Sequence, residues 1–527
     1  MSVPTGTKSG FKNKEKPLEV RKSNILAARA VADAIRTSLG PKGMDKMIQT
    51  ARGQVIISND GNTILQHMAV MHPAAKMLVD LSASQDSVAG DGTTSVVILA
   101  GSLLGAADKL LKKGIHPSII AENFQKAAQR AAEVVMDMSK PIELSDRETL
   151  IRAASTSLNS KIVSQFSSTL APMLVDAALQ AAKKTSNGGL TLDLNDIRII
   201  KSLGGTIEDT TLANGLVLNN YAVKNAGGPS RMEKAKIGLI QFQLSAPKPD
   251  MENHIVVNDY RQMDKILKEE RQYILGLAKA IKKSKCNVLL IQKSILRDAV
   301  SELALHFLAK LNIMVIKDIE RDDIEFISRS TGAKPVADIE AFTEDKLGSC
   351  DLVEEVESSG SKTVRFSSRE GSNTVSILVR GANDLVIDET ERSLHDALCV
   401  LRSLFRVPAL VPGGGACEVQ VAQVIGKESR AMDGASAICY EEFSNAMLVI
   451  PTTLAENAGL NPVNVVTELR VRHEKGEVNA GISVRRGTSI MVEEHVIQPA
   501  LVTTSAITLA AECAKGLLRI DDIAFSR

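Results

Sequence analysis

The chain reads as a multidomain α and α/β protein: a largely helical body drawn from both ends of the sequence, with an α/β segment inserted between them. Three observations carry this reading. Apolar residues recur at three- and four-residue spacing in the first hundred residues and again in the last third. Continuous apolar runs alternate with helical runs in the middle, around 287–330. Gly-rich and Asp-Gly turns sit towards both ends of the chain and are missing from that α/β stretch. At about 150 residues per domain, 527 residues supply three to four domains' worth of chain.

From Ser23 the segment SNILAARAVADAIRTSLGPKG places Ile25, Ala28, Ala32, Ile35 and Leu39 on one face, predicting a helix capped by Ser23 or Asn24 and stopped by Gly40-Pro41. Val55-Ile56-Ile57 predicts a strand that delivers the turn Ser58-Asn59-Asp60-Gly61. A long helix is expected from Thr93, after Ala89-Gly90-Asp91-Gly92. In the middle, NVLLI (287–291) and Ile313–Ile316 read as buried strands, followed by the helical runs SILRDAVSELALHFLAKL and RDDIEFISRS. That alternation argues for parallel α/β structure. The preceding run, DYRQMDKILKEERQYILGLAKAIKKSK, is one long charged helix. Eight basic against three acidic residues between Arg261 and Lys285 make it either a solvated face or a surface that meets a partner. ERSLHDALCVLRSL is amphipathic, and Val411-Pro412-Gly413-Gly414-Gly415-Ala416 breaks the chain before a further helix.

Composition narrows the function classes. With 44% hydrophobic and 24% charged residues the chain buries a sizeable core. A formal charge of +1, from 63 basic and 62 acidic residues, gives no global field for nucleic acid or an anionic membrane. Aromatics at 3%, with no Trp and four Tyr, are too few for a base-stacking platform. Val96–Ala107, the longest apolar-looking stretch, is broken by Gly101, Ser102 and Gly105 and is expected to fall short of a bilayer span. MSVPTGTKSGFKNKEK has no apolar core, so no secretory signal is expected. Cys286, Cys350, Cys399, Cys417, Cys439 and Cys513 are widely spaced without a C-x-x-C, which reads as reduced thiols and a cytoplasmic location.

Gly90-Asp91-Gly92-Thr93-Thr94-Ser95 at a helix start is the most informative segment. Free N–H groups at a helix N-terminus attract phosphate, and glycines let the backbone approach it. The hydroxyls of Thr93, Thr94 and Ser95 add donors, and Asp91 suits Mg²⁺, a hard cation that takes oxygen ligands. Taken alone, the same residues fit a capped helix after a tight turn equally well. Leu39-Gly40-Pro41-Lys42-Gly43 and Gly413-Gly414-Gly415 add two more loops able to cradle parts of a nucleotide. Neither a G-x-x-x-x-G-K-[ST] nor a G-x-G-x-x-G pattern is present, since Glu418 stands where the latter needs its last glycine. Asp60, in a turn, and Asp396, on a helix, are candidates to orient a hydrolytic water, although such residues more often serve turn geometry or face solvent. The eight His form no H-E-x-x-H and no G-x-S-x-G occurs, so metalloprotease and serine-hydrolase chemistry lack support.

TSLGPKGMDKM (37–47), ISNDGNTIL (57–65), AGDGTTSVVILAG (89–101), ERSLHDAL (391–398) and PGGGACE (412–418), in order over nearly the whole chain, closely resemble the group II chaperonins. KNKEKPLEVRKSNI, FTEDKLGSCDLVEE and LLRIDDIAFSR resemble one subunit class of the eukaryotic cytosolic member of that group. The resemblance implies a mostly helical equatorial ATPase domain (1–145 and 403–527), a small intermediate domain (146–212 and 367–402) and an inserted α/β apical domain (213–366) with a helical lid protrusion around Ser245–Arg271. It implies ATP and Mg²⁺ as cofactors, bound by Gly40, Pro41, Asp91, Gly92, Thr93, Thr94, Ser95, Asn159, Ser160, Lys161, Gly414, Gly481 and Gln498, with Asp91 on the metal. Gln498 departs from the pattern, since many relatives carry an acid there. Asp60 and Asp396 match the carboxylates that position and activate water. Because Asp396 falls in the implied intermediate domain, it is expected to join the pocket only when that domain swings over bound ATP.

The helix near Leu296–Leu311 would line a cavity that receives clients, although most of Leu303, Leu305, Phe307 and Leu308 read as core. The implied protein is an ATP-hydrolysing subunit of a hetero-oligomeric double ring of paralogues that folds clients such as actin and tubulin, without nucleic-acid or membrane partners. A subunit that binds ATP but serves mainly as scaffold and client surface is the alternative. A small-molecule phosphotransferase is a third, for which no acceptor pocket is evident.

Overall fold

The helix Thr93–Lys112 is apolar on every side, with Val96, Val97, Ile98, Leu99, Leu103, Leu104, Ala107 and Leu110 all buried, so it has to be surrounded. In the computed structural model, which describes residues 16–50, 53–184, 189–224, 227–245, 260–294, 298–358, 360–367 and 374–523, the helices Lys16–Arg36, Pro73–Val88, Ala435–Met447 and Ala500–Leu518 pack around it. Pro117–Met138 and Ala416–Ser429 complete one continuous core, which Phe124 and Phe443 join in an edge-to-face pair. At 20 residues and a mean hydropathy of 1.5, Thr93–Lys112 does match a bilayer span in length and composition, as do Ile162–Ala181 and Ala500–Leu518. This corrects the expectation from Val96–Ala107. Gly101 and Gly105 shorten the apolar run on paper but do not interrupt the helix, because their bare backbones let neighbouring helices come close.

The chain divides into two compact units, 1–175 with 392–527 and 176–391, whose borders fall inside the helices Ser167–Ala181 and Asp384–Arg406. Both ends of the sequence thus share the first unit, and the middle forms the second.

The first helix starts at Lys16, seven residues before the expected cap. Asn24 is buried within the helix. Val55–Ser58 pairs antiparallel with Lys46–Gln49 and leads into the short helix Gly61–His67.

The second unit is built on one eight-stranded sheet, ordered Met314–Ile319, Val288–Gln292, Arg231–Ile240, Gly348–Ser358, Ser361–Ser367, Thr211–Leu218, Val375–Gly381, Ile197–Leu203. The expected parallel α/β pairing holds for the first three strands and for the last pair. The four central pairings are antiparallel, so the sheet is mixed. The long charged helix runs Tyr260–Lys283. Its second half buries Ile274, Leu277, Ala278 and Ile281 while Tyr260, Met263, Ile266 and Leu267 stay exposed. The rest of the expected protrusion, 246–259, lies outside the described residues. The next helix spans Glu302–Lys310 and not 296–311. Ser301 caps it by accepting from Ala304 N–H at 3.2 Å, and Val300 is held extended by a bridge to Leu244. Leu308 is buried and Leu303, Leu305 and Phe307 are half-buried against the same core.

Candidate active site

The Asn59-Asp60-Gly61 turn starts a helix. Asp60 is its N-cap, taking the N–H and hydroxyl of Thr63 on Oδ2 at 2.9 and 2.8 Å. Its Oδ1 accepts from the Thr93 hydroxyl at 2.8 Å, which ties this turn to the start of helix Thr93–Lys112. Gly61 is required at that junction: a Cβ there would sit 2.8 Å from Thr94 N. Gly90 and Gly92 both have positive φ, and Gly90 lies so close to Cys399 that a Cβ would fall 2.1 Å from the Cys399 Cβ. The Asp91 carboxylate accepts from its neighbour Gly92 N–H at 2.7 Å. Thr94 and Ser95 follow half-buried in the first turn.

Lys161, after helix Arg147–Leu158, meets Asp396 at 2.6 Å, with both side chains about one-tenth exposed. Asn59 Nδ2 donates to Ser160 O at 3.4 Å, joining the Asp60 turn to this loop. One buried cation therefore serves three carboxylates. Burial works to lower the Lys161 amine, but Asp396, Asp60 and Asp91 together raise it, so it stays protonated. Burial likewise pushes Asp60 up, yet the Lys161 charge and the bonds from Thr63 and Thr93 outweigh it and hold this carboxyl below its ordinary value. At Asp91 and Asp396 burial dominates over the attraction of Lys161. With repulsion from Asp60 added, both carboxyls rise, Asp396 well above its ordinary value. Asp396 lies close enough to Asp60 and Asp91 in this structure for their charges to act on it. Its helix carries it into the unit that holds both turns.

The glycine loops form a second cluster. Gly414 O accepts from Ile482 N–H at 2.9 Å, Gly413 N–H donates to Val496 O at 3.0 Å, and a Cβ on Gly481 would fall 3.0 and 3.1 Å from the carbonyl oxygens of Gly413 and Gly414. Gly481 and Gly414 are therefore adjacent. The helix Val449–Asn457 joins Gly40-Pro41 to them: Leu454 packs on Gly40, Pro451 on Gly415, and Asn457 Nδ2 donates to Leu39 O at 2.8 Å. Gln498 is opposite Val411 in the strand pair that precedes the triple glycine, and its amide donates to Thr503 at 2.7 Å. Asn159 turns its side chain back to Ser155 on its own helix.

A profile of the TCP-1/cpn60 chaperonin family matches residues 31–527. The chain belongs to this family. Curated relatives named T-complex protein 1 subunit delta align along the full length of this chaperonin chain. That of Yarrowia lipolytica (strain CLIB 122 / E 150) is 99% identical over 527 residues, covering 100% of both chains. That of Saccharomyces cerevisiae is 65% identical over 531 residues, again 100% of both. That of Bos taurus is 58% identical over 523 residues, 99% of this chain and 96% of the relative. Delta is also the subunit class that the FTEDKLGSCDLVEE segment resembles.

Several residues of this chaperonin site gave no sign in the sequence. Gln85 is fully buried, and its amide donates to Asp91 O at 2.9 Å and Val502 O at 3.4 Å while Oε1 has no partner. Asp86 accepts from Asn62 at 2.9 Å, and burial together with the Asp60 charge raises its carboxyl. Both stand on helix Pro73–Val88, where Gln and Asp are ordinary; only the fold aims them at the loop. Among the described residues no group of three or more His, Cys, Asp or Glu is disposed to hold a metal. Mg²⁺ held by one carboxylate, with phosphate oxygens and waters completing its shell, needs no such group. The oxygen-only donor set and the excess of carboxylates over the single cation fit that ion.

Proposed function

We propose that this chaperonin subunit binds and hydrolyses Mg·ATP between the Asp91 and Gly414 loops, and that it works in a cytosolic hetero-oligomeric double ring of paralogues that folds clients such as actin and tubulin. One observation carries the reading: Asp60, Asp91 and Asp396 converge on one buried lysine, and Asp91 leads into a long helix whose start has no side-chain cap. A bound Mg²⁺ would supply positive charge to offset that of the phosphates. The chain's own part is to hold and to aim. The first N–H groups of helix Thr93–Lys112, that of Thr93 included, would bind phosphate together with the Thr94 and Ser95 hydroxyls, the Thr93 hydroxyl being given to Asp60; Gly92 gives it close approach. Asp91 would take the metal. Gly40, Pro41, Asn159, Ser160, Gly414, Gly481 and Gln498 would line the rest of the nucleotide, and Lys161 would balance charge.

Asp60 is locked by three hydrogen bonds and kept ionised, which suits orienting a water. Asp396, held by Lys161, would accept that water's proton; its raised value brings it nearer to the operating range of a general base. The division into equatorial, intermediate and apical domains, with 245–271 in a lid protrusion, belongs to the same reading. The test is nucleotide occupancy at this subunit in assembled rings carrying Asp91→Ala. Loss of Mg-dependent ATP binding is expected. Normal affinity in a folded ring would overturn the site.

A further inference from the structure

A small core separate from the main one joins Val419, Ala455, Leu469, Ala480 and Ile482, with Leu454 packed against it. Its members lie on the elements that carry the glycine wall. Val419 is in the helix that follows Gly413–Gly415, Leu454 touches Gly40, and Ala480 and Ile482 flank Gly481. Into this apolar cluster the helix Pro462–Glu474 sends one ionisable side chain, His473, which is 3% exposed. Its Nε2 lies 2.8 Å from Ala480 O and its Nδ1 lies 2.9 Å from Gln420 Oε1, on helix Ala416–Ser429.

A carbonyl oxygen only accepts, so Nε2 must carry a proton and donate to Ala480 O. Burial favours the neutral ring, whose Nδ1 only accepts, so the Gln420 amide pairs with it once turned end for end, its NH2 in place of Oε1. His473 thereby links two elements that share no direct backbone pairing there: the strand Ala480–Ser483 and the helix behind the triple glycine. Two bonds then bracket Gly481, one on the carbonyl before it from His473 and one from the amide after it, Ile482 N–H, to Gly414 O at 2.9 Å. A Cβ on Gly481 would strike Met491 at 2.5 Å, so the wall tolerates little displacement.

We propose that His473 is a positioning residue of the nucleotide site: its Nε2–H clamps the Ala480 carbonyl to helix Ala416–Ser429 and so sets the distance between Gly481 and Gly414. This rests on the reading of those glycines as the nucleotide wall. The imidazole touches no reacting atom, so its loss should weaken binding and leave the chemical step alone.

The experiment compares rings assembled with His473→Leu, His473→Gln and Gln420→Leu, each in a background where the other subunits' sites are disabled. Nucleotide affinity and the single-turnover rate of bound ATP are read separately. Amide exchange of 480–483 is followed without nucleotide. His473→Leu leaves the Ala480 carbonyl buried and unpaired, and should raise the dissociation constant for ATP roughly tenfold, with the single-turnover rate changed by no more than about twofold. Exchange at 480–483 should quicken. His473→Gln, which returns an N–H near the Nε2 position, should recover most of the affinity. Gln420→Leu should weaken binding in the same direction and carries the test if His473→Leu does not assemble. Unchanged affinity in His473→Leu or Gln420→Leu rings, a fall in rate at unchanged affinity, or His473→Gln no better than His473→Leu would each overturn the proposal. Asp91→Ala measured alongside separates the two ideas: if it too leaves affinity intact, the nucleotide-site reading fails, and if it alone weakens binding, only the role of His473 does.

Discussion

Asp396 and Lys161 are 235 residues apart in sequence and 2.6 Å apart in space, in surroundings where three carboxylates share one cation. Such a site has a surplus of negative charge, and Asp91 and Asp396, whose carboxyls rise along with that of Asp86, are the ones left to take a metal or a proton. Asp396→Ala removes a proton acceptor without touching the phosphate-facing helix start. ATP binding should stay near normal and hydrolysis at this subunit should slow by roughly a hundredfold or more. Single-turnover hydrolysis with the other subunits' sites disabled checks this; loss of binding in a folded ring would contradict it. His473 behaves differently. Burial, with Arg472 beside it, holds its imidazole below 6.5 in spite of the Ala480 bond and Glu477. A depressed folded value means that the neutral ring's contribution to stability is fully present above 6.5 and is lost as pH falls from there through the folded value. Melting temperature across that window should drop more for the wild-type ring than for His473→Gln, and parallel curves would count against a buried neutral imidazole.

Helix contacts in the first unit depend on small residues at the crossings. Gly101, on the central helix, faces Ala32 so closely that a Cβ would lie 2.4 Å from the Ala32 Cβ. Both residues sit in the core, where neighbouring side chains have no room to yield. Gly101→Val should force helices Lys16–Arg36 and Thr93–Lys112 apart at a cost of about 1–3 kcal/mol. Chemical denaturation of purified rings would read this as an earlier midpoint with the slope unchanged. A neutral result would mean that the crossing is looser than the geometry states. In the same unit Asp60 shows how one element does two tasks. Its cap holds helix Gly61–His67 in place, and the cap's geometry aims its second oxygen at Thr93.

At the level of the whole chain, Met44 and Met47 are exposed at the small hairpin of Lys46–Gln49 and Val55–Ser58, which has no further strand beside it among the described residues, and Met71 is exposed after helix Gly61–His67. Exposed apolar groups of this size are a liability for an isolated chain. The chaperonin reading expects the chain to co-purify with homologous chains of similar mass, identified by native mass measurement of the complex. A stable monomer that hydrolyses ATP would contradict it.

Local pattern sufficed for much of this. The helix from Thr93, the strand at Val55, the buried strands near 288 and 314 and the α/β character of the middle all follow from apolar spacing and turn residues that act over a few positions. The loops around Gly40, Asp91 and Gly414 were legible because glycine and proline restrict the backbone wherever they stand. Boundaries set by partners were not. The helix beginning at Glu302 starts late because Val300 is bridged to Leu244, and the sheet is mixed because Arg231–Ile240 pairs antiparallel with Gly348–Ser358, and Thr211–Leu218 with Ser361–Ser367, across long stretches of intervening chain. The electrostatics of the site were equally hidden. Burial and charge act through space, so the raised carboxyls of Asp91 and Asp396, the protonated Lys161 and the clamp of His473 on Ala480 exist only once residues from distant parts of the chain share one low-dielectric volume.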